Sequence, residues 1–352
     1  MKKIKCIAWL YQELPLLIKN EILSVDAAEK LKGYYGEVHS RSKMQLALTI
    51  FGVVGAVCIG LGIMLLFAYN WDDLTRGQRT ALAFAPLVIS HLLCLWAIFK
   101  DKRSGAICEG FSVFNMLSVG GAIALISQIY HLPGDIDSFL LAWMLLSLPL
   151  IYLMGSSLVA VLYMIGVTTW AATAQISGGH ALLYWPLMAC VFPHYWKHFS
   201  ENRYGSLSVW LSSAICLCFS VGIGISLEKV LPGLWIIVYS SFYAVLYMVG
   251  KIWFDDGPSP WQKPFRNYGM LGIIILSYLF TFEWVWDSVG WNYYRFGSQF
   301  HEVIGFVDYL IAFALLVSAV SLFVKIAKEK RLFETSFVIM PILAVLSYSL
   351  SG

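Results

Sequence analysis

Charge is scarce in this chain. Asp, Glu, Lys and Arg make up 13% of its 352 residues, about half the share typical of soluble domains, while 59% are hydrophobic and the mean hydropathy is +0.72. An ordinary soluble domain is excluded. Also missing is any soluble segment in which basic residues alternate with base-stacking aromatics, so nucleic acid is not an expected partner. Cysteine avoids exposed connections: Cys6 precedes the first apolar run, and Cys58, Cys94, Cys108, Cys190, Cys216 and Cys218 lie inside apolar runs. No disulfide framework is implied. Enzyme signatures are absent as well, with no GxSxG elbow, no HExxH, no GxxxxGK[ST] loop and no Rossmann fingerprint. Catalytic residues are therefore unknown, an enzyme is the less favoured class, and no metal or cofactor is expected.

What the chain does have is a ladder of apolar stretches from Leu46 to Leu350. At about 20 apolar residues per crossing, it predicts an all-α polytopic membrane bundle of about eleven transmembrane helices, over 46–69, 81–99, 106–130, 138–154, 157–175, 180–196, 207–227, 233–250, 268–285, 304–324 and 333–350. The break between the fourth and fifth stretches rests on Met154, Gly155, Ser156 and Ser157 alone. Orientation tests the count, because Lys and Arg near spans stay on the cytoplasmic side. With the amino terminus inside, 20 of the 24 basic residues fall in inner segments and 4 in outer ones. An odd number of spans and an outward carboxyl terminus follow. The net charge of +3 then belongs to a cytoplasmic rim facing anionic lipid.

Residues 1–45 form the polar remainder, read as an amphipathic helical hairpin ahead of a membrane bundle at 46–352. Ile4, Ile7, Ala8, Tyr11, Leu14 and Ile18 recur at helical spacing, and Ser24 is placed to cap a second helix with Asp26 in its first turn. Trp9, Glu13 and Leu14, the Tyr34 and Tyr35 pair, the run Ala68, Tyr69, Asn70, Trp71, Asp72, Asp73, Leu74, and then Arg79, Pro86 and Leu87 together resemble the bacterial membrane proteins grouped as domain of unknown function 2157. The resemblance covers about residues 9–150 and is carried mainly by the Trp71 to Arg79 connection. It implies a multi-pass protein of the bacterial inner membrane and brings no catalytic residues. Where that family often has Gly between its two short helices, this chain has Asn20 and Glu21.

A shift of 100 residues aligns Ala81, Leu82, Pro86, Leu87, Phe99, Arg103 and Gly105 with Ala181, Leu182, Pro186, Leu187, Phe199, Arg203 and Gly205. This marks a candidate parallel four-helix repeat with units 46–154, 157–250 and 268–350, an arrangement some transporters build around a central pathway. Chance alignment of apolar residues is the alternative.

Ionisable groups deep in a bilayer are costly and so are functional candidates. His91 lies at mid-depth, and Glu109 with Asn115 would extend a polar path from the inner surface. The alternative for each is plain packing or interfacial solvation. Near the outer surface, Trp286, Asp287, Trp291, Tyr294, Arg295, His301, Glu302 and Asp308 form a candidate vestibule of aromatic faces and carboxylates, against the simpler reading of an interfacial anchor. His194 and His198, with Glu201 beyond, have a spacing compatible with a metal, although helix-end pairs are more often interfacial.

Two functions fit. A carrier or flippase for a small or lipid-linked solute draws on the span count, the repeat and the polar path. A membrane-embedded transferase acting on a lipid-linked substrate at the outer face draws on the vestibule. A non-catalytic assembly or regulatory subunit stands beside them. The bilayer is the one certain partner, and protein partners are unknown.

Overall fold

The computed structural model describes residues 10, 13–14, 17–18, 20, 22–35, 71, 73–100, 105–178, 181–227, 234–254, 259–287, 302–328 and 339–350. All regular structure among them is helical. The chain divides into two compact units, Met1–Thr75 and Arg76–Gly352.

In the first unit the described helix is α1, Val25–Tyr35. It begins where the sequence provides a cap: the Ala27 amide donates to Ser24 Oγ at 3.3 Å, and Asp26 stands in the first turn, where the helix dipole favours a carboxylate. Lys30 pairs with Asp26 at 2.8 Å, an exposed pair of the kind that adds little stability. Leu14 and Ala28 are buried. Most of the helix expected over 4–18, and all of the span expected over 46–69, lie outside the described residues.

The second unit contains α2 (Arg76–Phe99), α3 (Ala106–Tyr130), α4 (Ile136–Met154), α5 (Ser157–Ile176), a 3₁₀ turn at Ala181–Leu183, α6 (Tyr184–Ala189), α7 (Phe192–Glu201), α8 (Ser206–Leu227) and α9 (Trp235–Trp253). After a second 3₁₀ turn at Pro260–Gln262 come α10 (Pro264–Leu279), α11 (Glu283–Asp287), α12 (Glu302–Lys328) and α13 (Ile339–Leu350). Six of these, α2, α3, α4, α5, α8 and α9, are long and apolar enough to cross a membrane, since about 20 residues at a rise of 1.5 Å cover a core of about 30 Å. They fall on six of the stretches expected from hydropathy.

The narrow break between the fourth and fifth stretches is a true reversal. Gly155 ends α4 with φ 63°, a left-handed conformation suited to glycine. Ser156 then caps α5, its Oγ accepting from the Val159 amide at 3.2 Å, and α4 packs along α5.

The sixth stretch requires a correction. The helix expected over 180–196 is broken into the 3₁₀ turn, α6 and α7. Proline is the cause. Pro193 has no amide hydrogen to offer the preceding turn, and just before it the Val191 amide bonds Met188 O, three residues back, at 3.1 Å. That tighter pattern leaves Leu187 O without its usual helical donor, and the Tyr163 hydroxyl supplies one at 3.3 Å. The Tyr152 hydroxyl likewise donates to Cys190 O. Two tyrosines thus take up carbonyls that a continuous helix would have bonded through its own amides, the Leu187 carbonyl at a buried position. The ninth stretch, 268–285, is also divided, between α10 and α11.

Among the described residues, beside a smaller cluster of Ala244, Tyr247, Met248 and Ala319 between α9 and α12, two large hydrophobic cores organise the second unit. One surrounds α5, with Tyr163, Met164, Val167 and Trp170 packed against α3, α4, α6 and α8. The other surrounds α9, with Ile236, Val238 and Phe242 packed among α10, α12 and α13. Helix α8 touches both α5 and α10, and Trp185, Phe219 and Phe265 pack against both cores.

Candidate functional site

Among the described residues of the second unit, a polar constellation lies where the amino-terminal ends of α3 and α5 meet α7. An α-helix begins with amide hydrogens that have no intrahelical acceptor, and at α5 a carboxylate from another helix takes them. Glu109 Oε1 accepts from the Ser157 amide at 2.9 Å, and Oε2 accepts from the Leu158 amide at 3.1 Å and from the Ser156 hydroxyl. The positive end of the helix dipole favours a negative group at this position, so the charge of Glu109 holds α3 against α5 across a sequence gap of 48 residues.

Behind this clamp the polar contacts run into α7. Ser157 Oγ and His194 Nε2 share a hydrogen bond of 3.3 Å, both side chains being buried. The His198 ring meets that of His194 edge to face at 4.8 Å between centroids. Together with Glu109, Lys197 and Glu201, the two histidines line a cavity of about 530 Å³ whose other wall is apolar, with Tyr152, Leu153, Met154 and Leu207. That volume is within the range of small-molecule sites, about 300–1,000 Å³, and so is the mix of apolar walls with a few convergent polar groups. One side of the cavity is the half-helix α7, held in place where Tyr152 and Tyr163 reach the carbonyls beside the break.

The residues of the expected polar path engage separate partners. Glu109 is at the α5 clamp. Asn115 is buried, and its Nδ2 donates to Cys94 Sγ of α2 at 3.7 Å. His91 is exposed on the surface of the second unit, with Nδ1 at 2.8 Å from Leu87 O of its own helix. Of the three, Glu109 alone lines the cavity.

For the expected vestibule, Trp286 in α11 donates from Nε1 to Phe280 O at 3.1 Å and packs on the Phe280 ring. Asp287 ends α11, and Glu302 and Asp308 lie in α12, with no described side-chain surroundings. Trp291, Tyr294, Arg295 and His301 lie outside the described residues.

Sequence reasoning singled out Glu109 and the His194, His198, Glu201 group separately and missed Ser156, Ser157, Tyr152 and Tyr163, which join them. The signal for the serines was present: a Ser pair directly after Gly155 is a helix-start pattern. The tyrosines carried none, because a Tyr in an apolar run reads as packing.

No curated protein and no solved structure matches the chain. The match that is found agrees with the membrane-crossing character of the helices: residues 15–160 fit the family described as "Predicted membrane protein (DUF2157)".

Proposed function

We propose that this chain is a multi-pass carrier in the bacterial inner membrane, amino terminus inside and carboxyl terminus outside, and that it handles a small or lipid-linked solute at the cavity lined by Glu109, His194, Lys197, His198 and Glu201. The observation that carries the reading is the broken helix. Irregular backbone at membrane depth is tolerated where it is covered by protein or lines an aqueous cavity, and discontinuous helices are the elements from which carriers build their solute sites. Here the break at Cys190–Val191 separates α6 from α7, and α7 turns its polar residues to the cavity.

Two further features support it. Lys197 supplies a cationic donor and Glu201 an anionic acceptor in one cavity, which suits a solute carrying both kinds of group. Helices α3 and α4 begin at 106 and 136, and α8 and α9 at 206 and 235, close to the 100-residue shift of the candidate repeat. In the proposed orientation the cavity opens on the cytoplasmic side, the side of Lys197, Arg203, Lys251, Lys263 and Arg266.

The test is a thermal-shift screen of the purified full chain against zwitterionic amino acids, sugar phosphates and inorganic phosphate. A compound that raises the melting temperature of the native chain, with the shift lost in Lys197→Ala and His198→Ala and with matching uptake into proteoliposomes, is the expected result. Shifts identical in native and variant proteins would remove the cavity as the solute site.

A further inference from the structure

The groups that line the cavity beside α7 are not equally available to a solute. Glu109 has both carboxylate oxygens committed to the start of α5, where they accept from Ser156, Ser157 and Leu158. His194 is buried, with Nε2 bonded to Ser157. Lys197 and Glu201 are the opposite case: both are exposed, both line the cavity, and neither side chain has a hydrogen bond or ion pair among the described residues.

That these two leave each other unpaired is informative, because residues four apart on a helix are neighbours and opposite charges there commonly meet. Lysine before glutamate is the weaker order for such a pair. Glu201 is moreover the last residue of α7, where the helix dipole favours a cation over a carboxylate. An ammonium placed there would offset both charges. The wall facing these groups is apolar, with Leu153, Met154 and Leu207.

We infer that the cavity takes an apolar α-amino acid, its ammonium at Glu201, its carboxylate at Lys197 and its side chain against Leu153, Met154 and Leu207. Residues four apart on a helix have Cβ atoms about 5–6 Å apart, a short span that suits two charges borne on one carbon. Other solute classes fit less well. A phosphate dianion would meet one lysine against the Glu109 and Glu201 carboxylates, and the hydroxyls of a sugar would lose water along the apolar wall without replacement. The inference rests on the reading of this cavity as the solute site and names the class of solute.

The experiment measures binding to the purified full chain by titration calorimetry with L-leucine, L-leucinamide, N-acetyl-L-leucine and glycine. The amide keeps the ammonium and lacks the carboxylate, the acetyl compound does the reverse, and glycine lacks the apolar side chain. L-leucine is expected to bind tightest, with each analogue about tenfold weaker, the effect of losing one charge-assisted contact or one buried apolar side chain. Lys197→Gln should erase the discrimination against the amide alone, and Glu201→Gln the discrimination against the acetyl compound alone. A general loosening of the fold would not produce that crossed pattern. L-leucine binding no better than any one of the three analogues, or discrimination unchanged in both variants, would overturn the inference. Should phosphate or a sugar phosphate bind in a Lys197-dependent manner while L-leucine does not, the inference fails and the carrier reading stands; no binding by any compound removes both.

Discussion

The two cores of the second unit solve the same packing problem differently. Around α9 the backbones themselves meet. A Cβ added to Gly269 of α10 would lie 2.8 Å from Tyr247 Cα and 2.9 Å from Tyr243 O of α9, and one added to Gly250 of α9 would lie 2.7 Å from Arg266 Cα of α10. Around α5 the close contacts are made by side chains: Gly166 receives the Met144 thioether and Gly222 the Tyr184 ring, while the ends are tied by Glu109, Ser157 and His194. Within a bilayer apolar burial drives association weakly, and close packing and interhelical hydrogen bonds decide it. The comparison teaches that the α9–α10 contact is backbone against backbone and leaves no room for a Cβ, whereas the α5 core places side chains and polar groups between its helices. The cavity and the broken helix both belong to the second kind.

The sharpest way to break this comparison is to enlarge a glycine on the scaffold side. Gly269→Val forces side-chain carbons onto the Tyr243 and Tyr247 backbone, where relief requires α9 and α10 to part. The expected loss is about 3 kcal/mol or more, read as a collapse of the thermal transition in detergent. A mild loss would mean that the α9–α10 contact yields as readily as the α5 core.

Next in size is the clamp. Glu109→Ala leaves the Ser157 and Leu158 amides without their carboxylate and should cost about 2–3 kcal/mol. Glu109→Gln retains an acceptor oxygen but loses the charge, and should recover part of that loss. The separation of α3 from α5 is checked by disulfide trapping between cysteines placed on the two helices. Equal stability of the Ala variant and the native chain would show that the clamp contributes nothing to holding the helices together.

Tyr163→Phe comes third. It keeps the ring in the α5 core and deletes only the hydroxyl that satisfies Leu187 O, for an expected loss of about 1–2 kcal/mol. The loss should be accompanied by faster hydrogen exchange at the amides of 187–195, around the break. Unchanged exchange there would show that the carbonyl is satisfied from elsewhere.

How far these contrasts were legible in the sequence depends on the range of the interaction. Ends of apolar runs are local, and so the start of α3 at 106, the start of α8 near 206 and the reversal at Gly155–Ser156 could be placed from hydropathy, the last on a gap of four residues alone. Ser24 as the cap of α1 was legible for the same reason. The break inside 180–196 was not, because Pro186 and Pro193 interrupt hydrogen bonding without interrupting hydrophobicity, and a window average sees only the latter. The clamp was half legible: Glu109 stands out as a carboxylate within an apolar run, but its partners lie 47 to 49 residues away, and no periodicity reports which neighbouring helix offers its amino-terminal end. His91 stood out for the same chemical reason as Glu109, yet the face it occupies is set by how α2 packs, which a lone residue does not reveal.

The finest test compares two buried serines, one in each core. Ser157 Oγ shares a hydrogen bond with His194, whereas Ser241 Oγ on α9 is buried without a partner among the described residues. Removing a hydroxyl that is paired strands its partner, and removing one that is unpaired relieves a desolvation cost. Ser157→Ala should therefore cost about 1 kcal/mol, and Ser241→Ala should be neutral or stabilising by up to about 1 kcal/mol, both read as shifts of the detergent-phase melting transition. Opposite signs would confirm that the Ser157 hydroxyl holds the α5 core and that the Ser241 hydroxyl merely occupies the α9 core. Equal losses would mean that the α9 scaffold also depends on a hydrogen bond, and the division between the two cores would then rest on the glycine contacts alone.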